Sequence, residues 1–262
     1  MLIRPPAAAG VLYPADEGEL RTSVRGWLRD APLRGPSPKA LIVPHTGYDD
    51  IGPVIATAYT QLAQDRAIIR RIILLGPAHF VRLAGVALSS AEAFATPLGS
   101  VEVDRETIAH LAQQPYAEVE DFAHAFEHSL ELQLPFLQET LSDVVIVPLV
   151  VGEMSPEMIG LLLATLWGGH ETRIIVSSDL SHSFDALLAE TLDETTAHVI
   201  ETLERPGLFN GMACGREAIN GLLWTARARH MRVQRVALGY SSRSAGPSER
   251  VGYGVFAFTE DR

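Results

Sequence analysis

The sequence predicts an α/β fold in which a mainly parallel central sheet lies between layers of helices. Two observations predict it. Seven short apolar runs, rich in Val, Ile and Leu, are typical of strands that are covered on both faces, as parallel strands are. Helical patterns lie between most of these runs, which favours parallel strands joined by helices. Because 47% of the 262 residues are hydrophobic, we expect residues 1–262 to form a single three-layer domain around one core.

The predicted elements alternate along the chain. The strand runs, each a continuous β-branched or Leu-rich stretch, cover residues 40–44, 71–76, 85–90, 144–152, 173–178, 233–240 and 253–258. The helical patterns cover residues 17–29, 53–66, 104–113, 128–141, 155–167, 184–204 and 214–229. Two segments rich in Gly, Pro and Ser, 30–40 and 241–250, predict loops. Strand signals resume directly after each loop, so neither is expected to link separate domains.

The charge balance excludes two classes of partner. The chain carries 21 Lys and Arg against 32 Asp and Glu, a formal net charge of −11, and the basic residues form no stripe. Nucleic acids and anionic membranes attract basic surfaces, so we expect the chain to bind neither. No P-loop or dinucleotide-binding glycine motif follows a predicted strand, so we expect no nucleotide cofactor. Small molecules or peptides are the favoured partners.

Cysteine usage and the first residues indicate the compartment. The single cysteine, Cys214, excludes an intramolecular disulfide and a four-thiolate zinc site. The first residues contain prolines and a glycine where a signal peptide would carry an uninterrupted apolar stretch, and no run of about 18 apolar residues occurs elsewhere. We therefore predict a cytoplasmic protein.

Three histidines follow three different predicted strands. His45 ends the segment LIVPH, His79 follows RIILLGPA, and His182 follows RIIVSSDLS. In open parallel sheets, ligands collect outside the carboxyl ends of the strands. A single histidine after a strand is more often a hydrogen-bonded loop residue than a ligand, but three at equivalent positions predict a shared site. Imidazole is the commonest protein ligand for zinc, copper and iron, so the pattern indicates a metal centre.

The segment FEHSLELQLPF, residues 126–136, adds an adjacent Glu127–His128 pair just before a helical pattern. Its leucines are explained by a helix that faces the core, but the Glu–His pair is not. We therefore include His128 among the candidate site residues. The remaining five histidines stand in or beside polar helical stretches, and we expect them at the surface: His110, His124, His170, His198 and His230.

Two further chemistries are less well supported. Ser177, Ser178, Asp179 and His182 contain the groups of a hydrolase triad, but the G-x-S-x-G turn that usually raises the nucleophile is absent. We expect Asp179 to orient an imidazole or a loop backbone instead. Cys214 has no histidine near it in the sequence, so a small buried residue at a helix start is favoured over a thiolate nucleophile.

A set of motifs carries a family resemblance. In chain order they are RPPAAAGVLYP, VPHTGY, LLGPAHF, TPLGSVEVD, FEHSLELQLPFL, IVPLVVG, SSDLSH, CG and VGYG. From residue 4 to about residue 258, the chain resembles the Memo family, whose bacterial and archaeal members are called AmmeMemoRadiSam system protein B. The family name implies a functional association with radical-SAM and AMMECR1-type proteins. The oligomeric state is left open, a homo-oligomer included.

The resemblance implies a fold similar to that of the LigB-like class III extradiol dioxygenases. In those enzymes two histidines and a carboxylate hold non-haem Fe(II), and a further histidine acts as acid or base. By motif, His45 and His79 match the metal-binding imidazoles, and His182 matches the acid or base and is a further candidate ligand. His128 would line the same pocket as a second candidate catalytic residue.

The loop after VALGY departs from the family pattern. It reads SSRSAGPSERVGY, without the Cys or Asp that family members carry there, and Glu249 is its only carboxylate. The third protein ligand is left open among Glu249, Glu127 and His182. The facial triad that binds non-haem Fe(II) includes a carboxylate ligand. Because this loop lacks the usual one, we expect weak or no ring cleavage.

Three functions are consistent with the sequence. The first is a Memo-like protein with a metal-capable pocket, which holds Fe(II) or alternatively copper or zinc and is a candidate for redox chemistry. The second is a non-haem Fe(II) extradiol-type dioxygenase. The third is a non-catalytic module that binds a peptide or a small molecule, which the fold alone permits.

Overall fold

The computed structural model describes residues 2–183, 185–241 and 250–260. Twelve strands in these residues are β1 Ile3–Arg4, β2 Ala40–Val43, β3 Arg71–Pro77, β4 Val86–Leu88, β5 Ala93–Thr96, β6 Gly99–Val103, β7 Ala117–Val119, β8 Val145–Val151, β9 Thr172–Ser177, β10 His182–Ser183, β11 Arg232–Tyr240 and β12 Arg250–Thr259. The α-helices in the same residues are α1 Glu17–Asp30, α2 Tyr48–Leu62, α3 Arg105–Leu111, α4 Asp121–Ala125, α5 Leu134–Thr140, α6 Pro156–Leu166, α7 Ala186–Thr202 and α8 Arg216–Ala228.

The strands form one mixed sheet with a parallel centre. Its main order is β1-β5-β6-β8-β3-β9-β2-β12-β10, with β11 paired to β12, and β4 and β7 attached at β8. The five strands from β6 to β2 in this order are parallel to one another. The antiparallel pairs lie towards the two ends of the sheet and at β4. The predicted α/β fold with a mainly parallel sheet is confirmed.

The central strands are covered on both faces. In β3 and β8 every residue after the first is buried, as their many Ile, Leu and Val residues predict. Each such side chain contributes about 1.5–3 kcal/mol when it is fully buried. Helices α1, α2 and α5 pack on one another, and α6 packs on α8. A methyl group at Gly160 of α6 would lie 2.2 Å from a ring carbon of Trp224, so α6 and α8 approach closely only because this residue is glycine.

Helix starts follow local chemistry. The side chain of Asp16 accepts a hydrogen bond from the backbone N–H of Glu19 and caps α1, whose residues Leu20 and Val24 are buried four positions apart. Helix α6 starts in the same way, because Ser155 caps it and Pro156 occupies its first turn. No helix in the described part of the chain combines the length and the apolar composition that a membrane crossing requires.

Short edge elements escaped the sequence analysis. Strands β1, β5, β6, β7 and β10 and helix α4 were not predicted, because two to five residues give too little periodicity to recognise. Strand β6, GSVEV, alternates between exposed and buried residues instead of forming an apolar run. The helix predicted from residue 53 begins at Tyr48, with Pro53 inside it. The helix predicted over 128–141 is shorter and divided, into the 3-10 helix Glu131–Gln133 and α5 Leu134–Thr140. The other predicted bounds agree with the structure to within a few residues.

The pairing register brings several strand ends together. Val43, the last residue of β2, pairs with Ser177, the last residue of β9. Leu75 of β3 pairs with Val176 of β9, and Pro77 pairs with Val151 at the end of β8. Residues that follow β2, β3 and β9 therefore emerge beside one another at the carboxyl edge of the sheet.

Candidate metal centre

Three imidazoles meet at this edge of the sheet. His45 lies two residues after β2, His79 two residues after β3, and His128 in the turn before the short 3-10 helix Glu131–Gln133. One ring nitrogen from each lies within 4.8 Å of a ring nitrogen of the other two. The ring centroids are 5.2 Å apart for His45 and His79, 5.5 Å for His45 and His128, and 5.0 Å for His79 and His128. The His45 side chain is 2% exposed, whereas those of His79 and His128 are 28% and 24% exposed.

Glu127 holds the His79 ring. Its Oε1 lies 2.9 Å from His79 Nδ1 and accepts the backbone N–H of Ser129, while its Oε2 accepts the backbone N–H of His79. Burial alone would raise the pKa of Glu127, but the interactions with His79 and the N–H of Ser129 outweigh it and hold the pKa at about 2. A carboxylate beside Nδ1 fixes a proton there, so His79 presents Nε2 as its free nitrogen. The sequence analysis left Glu127 among the candidate ligands, and its oxygens are engaged by these donors.

A glycine allows this arrangement. A methyl group at Gly76 in β3 would lie 2.5 Å from Ser129 Oγ and 2.8 Å from a methyl carbon of Leu130. The loop that carries Glu127 and His128 therefore packs directly against the end of β3, next to His79.

Asp179 holds the turn that carries His45. Its Oδ1 accepts the backbone N–H groups of His45 and Thr46, at 2.8 and 3.2 Å, and its Oδ2 accepts the Thr46 hydroxyl at 2.8 Å. The expectation that Asp179 orients a loop backbone is confirmed. On the ring itself, Nδ1 lies 2.9 Å from Ser177 Oγ, and Nε2 lies 3.8 Å from Asp179 Oδ2.

Cys214 belongs to the same neighbourhood, which the sequence analysis missed. Its Sγ lies 3.4 Å from His45 Nε2 and accepts the backbone N–H of Asp179 at 3.2 Å. Burial raises the pKa of the Cys214 thiol, so it is protonated at neutral pH. The residue stands just before α8, as expected, but its histidine neighbour is 169 positions away in the sequence, which no search for nearby residues could find.

Burial keeps two of the imidazoles neutral. Loss of hydration lowers the pKa of His45 to about 4, although Asp179 opposes this shift. Burial also lowers the pKa of His128, with Glu127 acting in the opposite direction. The neutral imidazole is the form that binds metal, so this environment favours ligation at neutral pH.

The other candidate residues lie elsewhere or outside the described residues. His182 begins β10, pairs with Val251 of β12 and is exposed. It is not among the three histidines that lie together. Its role as an acid or base stays a prediction. Glu249 lies outside the residues that the structure describes, so its candidacy as a ligand also stays a prediction.

One histidine was expected at the surface and is not there. His124 is 1% exposed, and its Nε2 donates to the carbonyl oxygen of Ala87 at 3.0 Å. Helix α4, which carries it, was not predicted, so its burial could not be anticipated. The expectations for the other four surface histidines are confirmed, since all are exposed: His110, His170, His198 and His230.

The N-terminal motif RPPAAAGVLYP braces the loop of His128. The Arg4 guanidinium donates to the carbonyl oxygens of His124 and Glu127, at 3.0 and 2.6 Å, and forms a buried ion pair with Glu131. Glu131 also accepts the Tyr13 hydroxyl at 2.6 Å. Neither role can be predicted from the sequence, because the partners of Arg4 and Glu131 are about 120 positions away along the chain.

A cleft opens beside the imidazoles. It has a volume of about 370 Å³ and includes the exposed side of His79 together with Phe80, Cys214, Glu153 and Glu217. This volume lies within the range of small-molecule sites. A molecule in the cleft would therefore contact His79, one of the three clustered histidines.

Comparison with known proteins adds a family and a fold. A family model described as Memo-like protein matches residues 4–256. A MEMO1 family protein of Aquifex aeolicus is 34% identical over 213 residues, which cover 80% of this chain and 78% of the relative. Protein MEMO1 of Xenopus tropicalis is 29% identical over 250 residues, which cover 85% of this chain and 84% of the relative.

A solved structure supports the fold alone. The crystal structure of the uncharacterized protein JW3007 from Escherichia coli K12 matches with a TM-score of 0.52 at 14% sequence identity. The match covers 83% of this chain and 98% of that one.

The family model spans nearly the whole chain and includes all three clustered histidines. The chain therefore belongs to the Memo-like protein family.

Proposed function

We propose that the chain binds one transition-metal ion through His45, His79 and His128 and uses it on a small molecule in the adjacent cleft. The observation that carries the proposal is the meeting of three ring nitrogens within 4.8 Å of one another. A zinc ion binds imidazole nitrogens at about 2.0–2.1 Å, so it joins nitrogens up to about 4 Å apart, and a small movement of the rings suffices.

The donor set fits such an ion. Two of the rings are kept neutral by burial, and the third is oriented by a carboxylate, which is the usual arrangement around protein metals. Three protein ligands leave further coordination positions free, as catalytic metal sites require. When bound, the ion would supply Lewis-acid or redox chemistry at the mouth of the cleft.

Three imidazoles do not select one metal. Fe(II), copper and zinc all accept this ligand type, whereas the facial triad of non-haem iron enzymes adds a carboxylate. Within the described residues the cluster contains no carboxylate, because the oxygens of Glu127 are engaged by His79 and Ser129. We therefore propose copper and zinc as candidates on an equal footing with Fe(II).

Metal content tests the proposal. The purified chain, stripped of metal and incubated separately with Zn²⁺, Cu²⁺ and anaerobic Fe²⁺, is expected to retain about one ion per chain after desalting. The double variant His45→Ala/His79→Ala is expected to retain none. His198→Ala, which removes an exposed histidine on α7, is the matched control and is expected to behave as the wild type. Unchanged stoichiometry in the double variant would reject the site.

An extradiol-type dioxygenase is the second candidate. It is favoured because two of the three clustered imidazoles, His45 and His79, are those that the LigB-like resemblance assigns to iron. The cluster contains no carboxylate among the residues that the structure describes, which argues against efficient ring cleavage. We propose weak or no turnover of a catechol by the Fe(II)-reconstituted chain, and rapid cleavage would contradict this. If turnover occurs, His182→Gln tests the proposed proton carrier, since an unchanged pH profile would exclude it.

A non-catalytic module is the remaining alternative. It would use the cleft to bind a peptide or small molecule and would need no metal. A wild-type chain that retains no metal in the experiment above, yet binds such a ligand, would favour this alternative. The functional association with radical-SAM and AMMECR1-type proteins, the absence of nucleic-acid and membrane binding, and the cytoplasmic location stay predictions.

A further inference from the structure

We propose that Ser177, held in place by Gln133, fixes the proton of the His45 ring on Nδ1 and so leaves Nε2 free to bind the metal. This inference rests on the proposed metal-binding function. It assigns a positioning role to two buried polar residues, and it gives a chemical reason for their presence in the core beside the site. Both have 0% exposure.

The hydroxyl of Ser177 has one proton, and its neighbours determine which acceptor receives that proton in a hydrogen bond. Ser177 Oγ lies 2.7 Å from the carbonyl oxygen of Ser129, which can only accept a hydrogen bond. The single proton of Ser177 therefore points to Ser129. The two lone pairs of Ser177 Oγ are left to accept hydrogen bonds.

Gln133 occupies one of these lone pairs. Its Nε2 lies 3.0 Å from the carbonyl oxygen of Pro44 and 2.9 Å from Ser177 Oγ, while its Oε1 accepts the Tyr59 hydroxyl at 2.9 Å. Since the Pro44 oxygen can only accept, the amide nitrogen must face this side. The orientation of the Gln133 amide is thus set by its neighbours, and Gln133 donates to Ser177.

The remaining lone pair of Ser177 faces His45. Nδ1 of His45 lies 2.9 Å away, and the only way to complete this hydrogen bond is for Nδ1 to carry the proton. In a neutral imidazole the other nitrogen, Nε2, then carries a lone pair. Nε2 lies on the side of Cys214, 3.4 Å from its sulfur, and Cys214 lines the cleft. The buried network therefore leaves a lone pair, which a metal needs, on the nitrogen that lies on the side of Cys214.

This arrangement parallels that of His79 with a different partner. His79 has a carboxylate beside Nδ1, and His45 has a serine hydroxyl whose own proton is committed elsewhere. A neutral partner imposes the same tautomer without placing a further charge beside a ring that is 2% exposed. This is physically reasonable, because an uncompensated charge in such a place would be costly.

Nitrogen-15 NMR of the metal-free chain at neutral pH tests the inference. Ring nitrogens with a proton and ring nitrogens with a lone pair have well-separated chemical shifts, and the His45 signals are assigned as those lost in His45→Gln. The wild type is expected to show His45 with Nδ1 protonated. Ser177→Ala is expected to show a substantial population protonated on Nε2, and Ser177→Thr, which keeps the hydroxyl, is expected to restore the wild-type tautomer.

Zn²⁺ titration of the same proteins supplies the second readout. Ser177→Ala is expected to bind Zn²⁺ about 10–100-fold more weakly, the usual effect of removing a group that orients a ligand. Ser89→Ala is the matched control, because Ser89 is also a buried serine that hydrogen-bonds a side chain, that of Asp121. It is expected to leave both the tautomer and the affinity unchanged.

The two readouts separate the inference from the proposed function. Wild-type His45 protonated on Nε2 overturns the inference, whether or not the variants fold, and so does an unchanged tautomer in folded Ser177→Ala. Wild-type His45 protonated on Nδ1, with the tautomer lost in Ser177→Ala, supports the inference even if the chain binds no metal. In that case only the proposed function fails.

Discussion

Glu127 and Asp179 both contact residues of the three-histidine cluster, and the atoms they contact distinguish their effects. Glu127 contacts a ring nitrogen of His79, whereas the close contacts of Asp179 are backbone N–H groups and the Thr46 hydroxyl. Glu127 therefore sets the tautomer and orientation of the His79 ring, while Asp179 sets the path of the chain that carries His45. Substitutions at these two positions are expected to differ in what they change.

Glu127→Gln is expected to weaken Zn²⁺ binding by about 10–100-fold. All close partners of the carboxylate are donors, the ring and backbone of His79 and the backbone of Ser129, so an amide NH₂ group must face at least one of them. Isothermal titration calorimetry with Zn²⁺ measures the effect. Glu153→Gln, an exposed carboxylate that lines the same cleft, is the control and is expected to leave the affinity unchanged.

Substitutions of His128 and His182 are expected to differ in their effect on Zn²⁺ affinity. His128→Ala is expected to reduce the Zn²⁺ affinity at least about tenfold, because it removes one of the three clustered nitrogens. His182→Ala is expected to change it by less than about twofold, because His182 lies outside the cluster. Parallel titrations of the two variants decide the identity of the third imidazole. The reverse order of effects would place His182, and not His128, at the metal.

At the scale of elements, the site depends on segments that are far apart in the sequence. The central strands deliver His45 and His79, and the loop before α5 delivers His128. The N-terminal segment holds that loop through the buried pair of Arg4 and Glu131, whose side chains are 5% and 0% exposed. The segment around residues 4–13 is therefore part of the architecture of the site, although it contributes no candidate ligand.

Arg4→Met is expected to destabilise the chain by about 3–5 kcal/mol, because it leaves the Glu131 carboxylate buried without its counter-ion. Urea denaturation followed by circular dichroism measures the change. The control is Arg29→Met, which breaks an ion pair with Asp30 whose side chains are 75% and 69% exposed. It is expected to leave the stability nearly unchanged, because exposed ion pairs are screened by solvent. Equal losses in the two variants would show that the N-terminal brace contributes little.

At the scale of the whole molecule, the sequence predicts most of the fold and about half of the site. Continuous apolar runs mark β2, β3, β8 and β9, so the positions of His45 and His79 at one edge follow from the chain alone. The residues that contact these rings cannot be predicted from the sequence. In the sequence, Gln133 is one residue of a leucine-rich helical pattern. The roles of Ser177 and Cys214 depend on contacts with residues that are 44 to 169 positions away.

The family resemblance and the structure also differ in where they place His182. The motifs assigned His182 and His128 to one pocket with the two metal-binding imidazoles, whereas the structure brings only His128 into the cluster. The difference arises because β10 pairs with the first two residues of β12, where His182 is exposed. A strand-end pattern fixes which edge of a sheet a residue reaches. It does not fix how far the following loop carries it.

Anomalous diffraction at the zinc absorption edge, from crystals grown with Zn²⁺, tests the central claim most directly. A single peak is expected at about 2.0–2.1 Å from one ring nitrogen each of His45, His79 and His128. If the chain binds Zn²⁺ in solution but the anomalous peak lies away from these three rings, the account is contradicted.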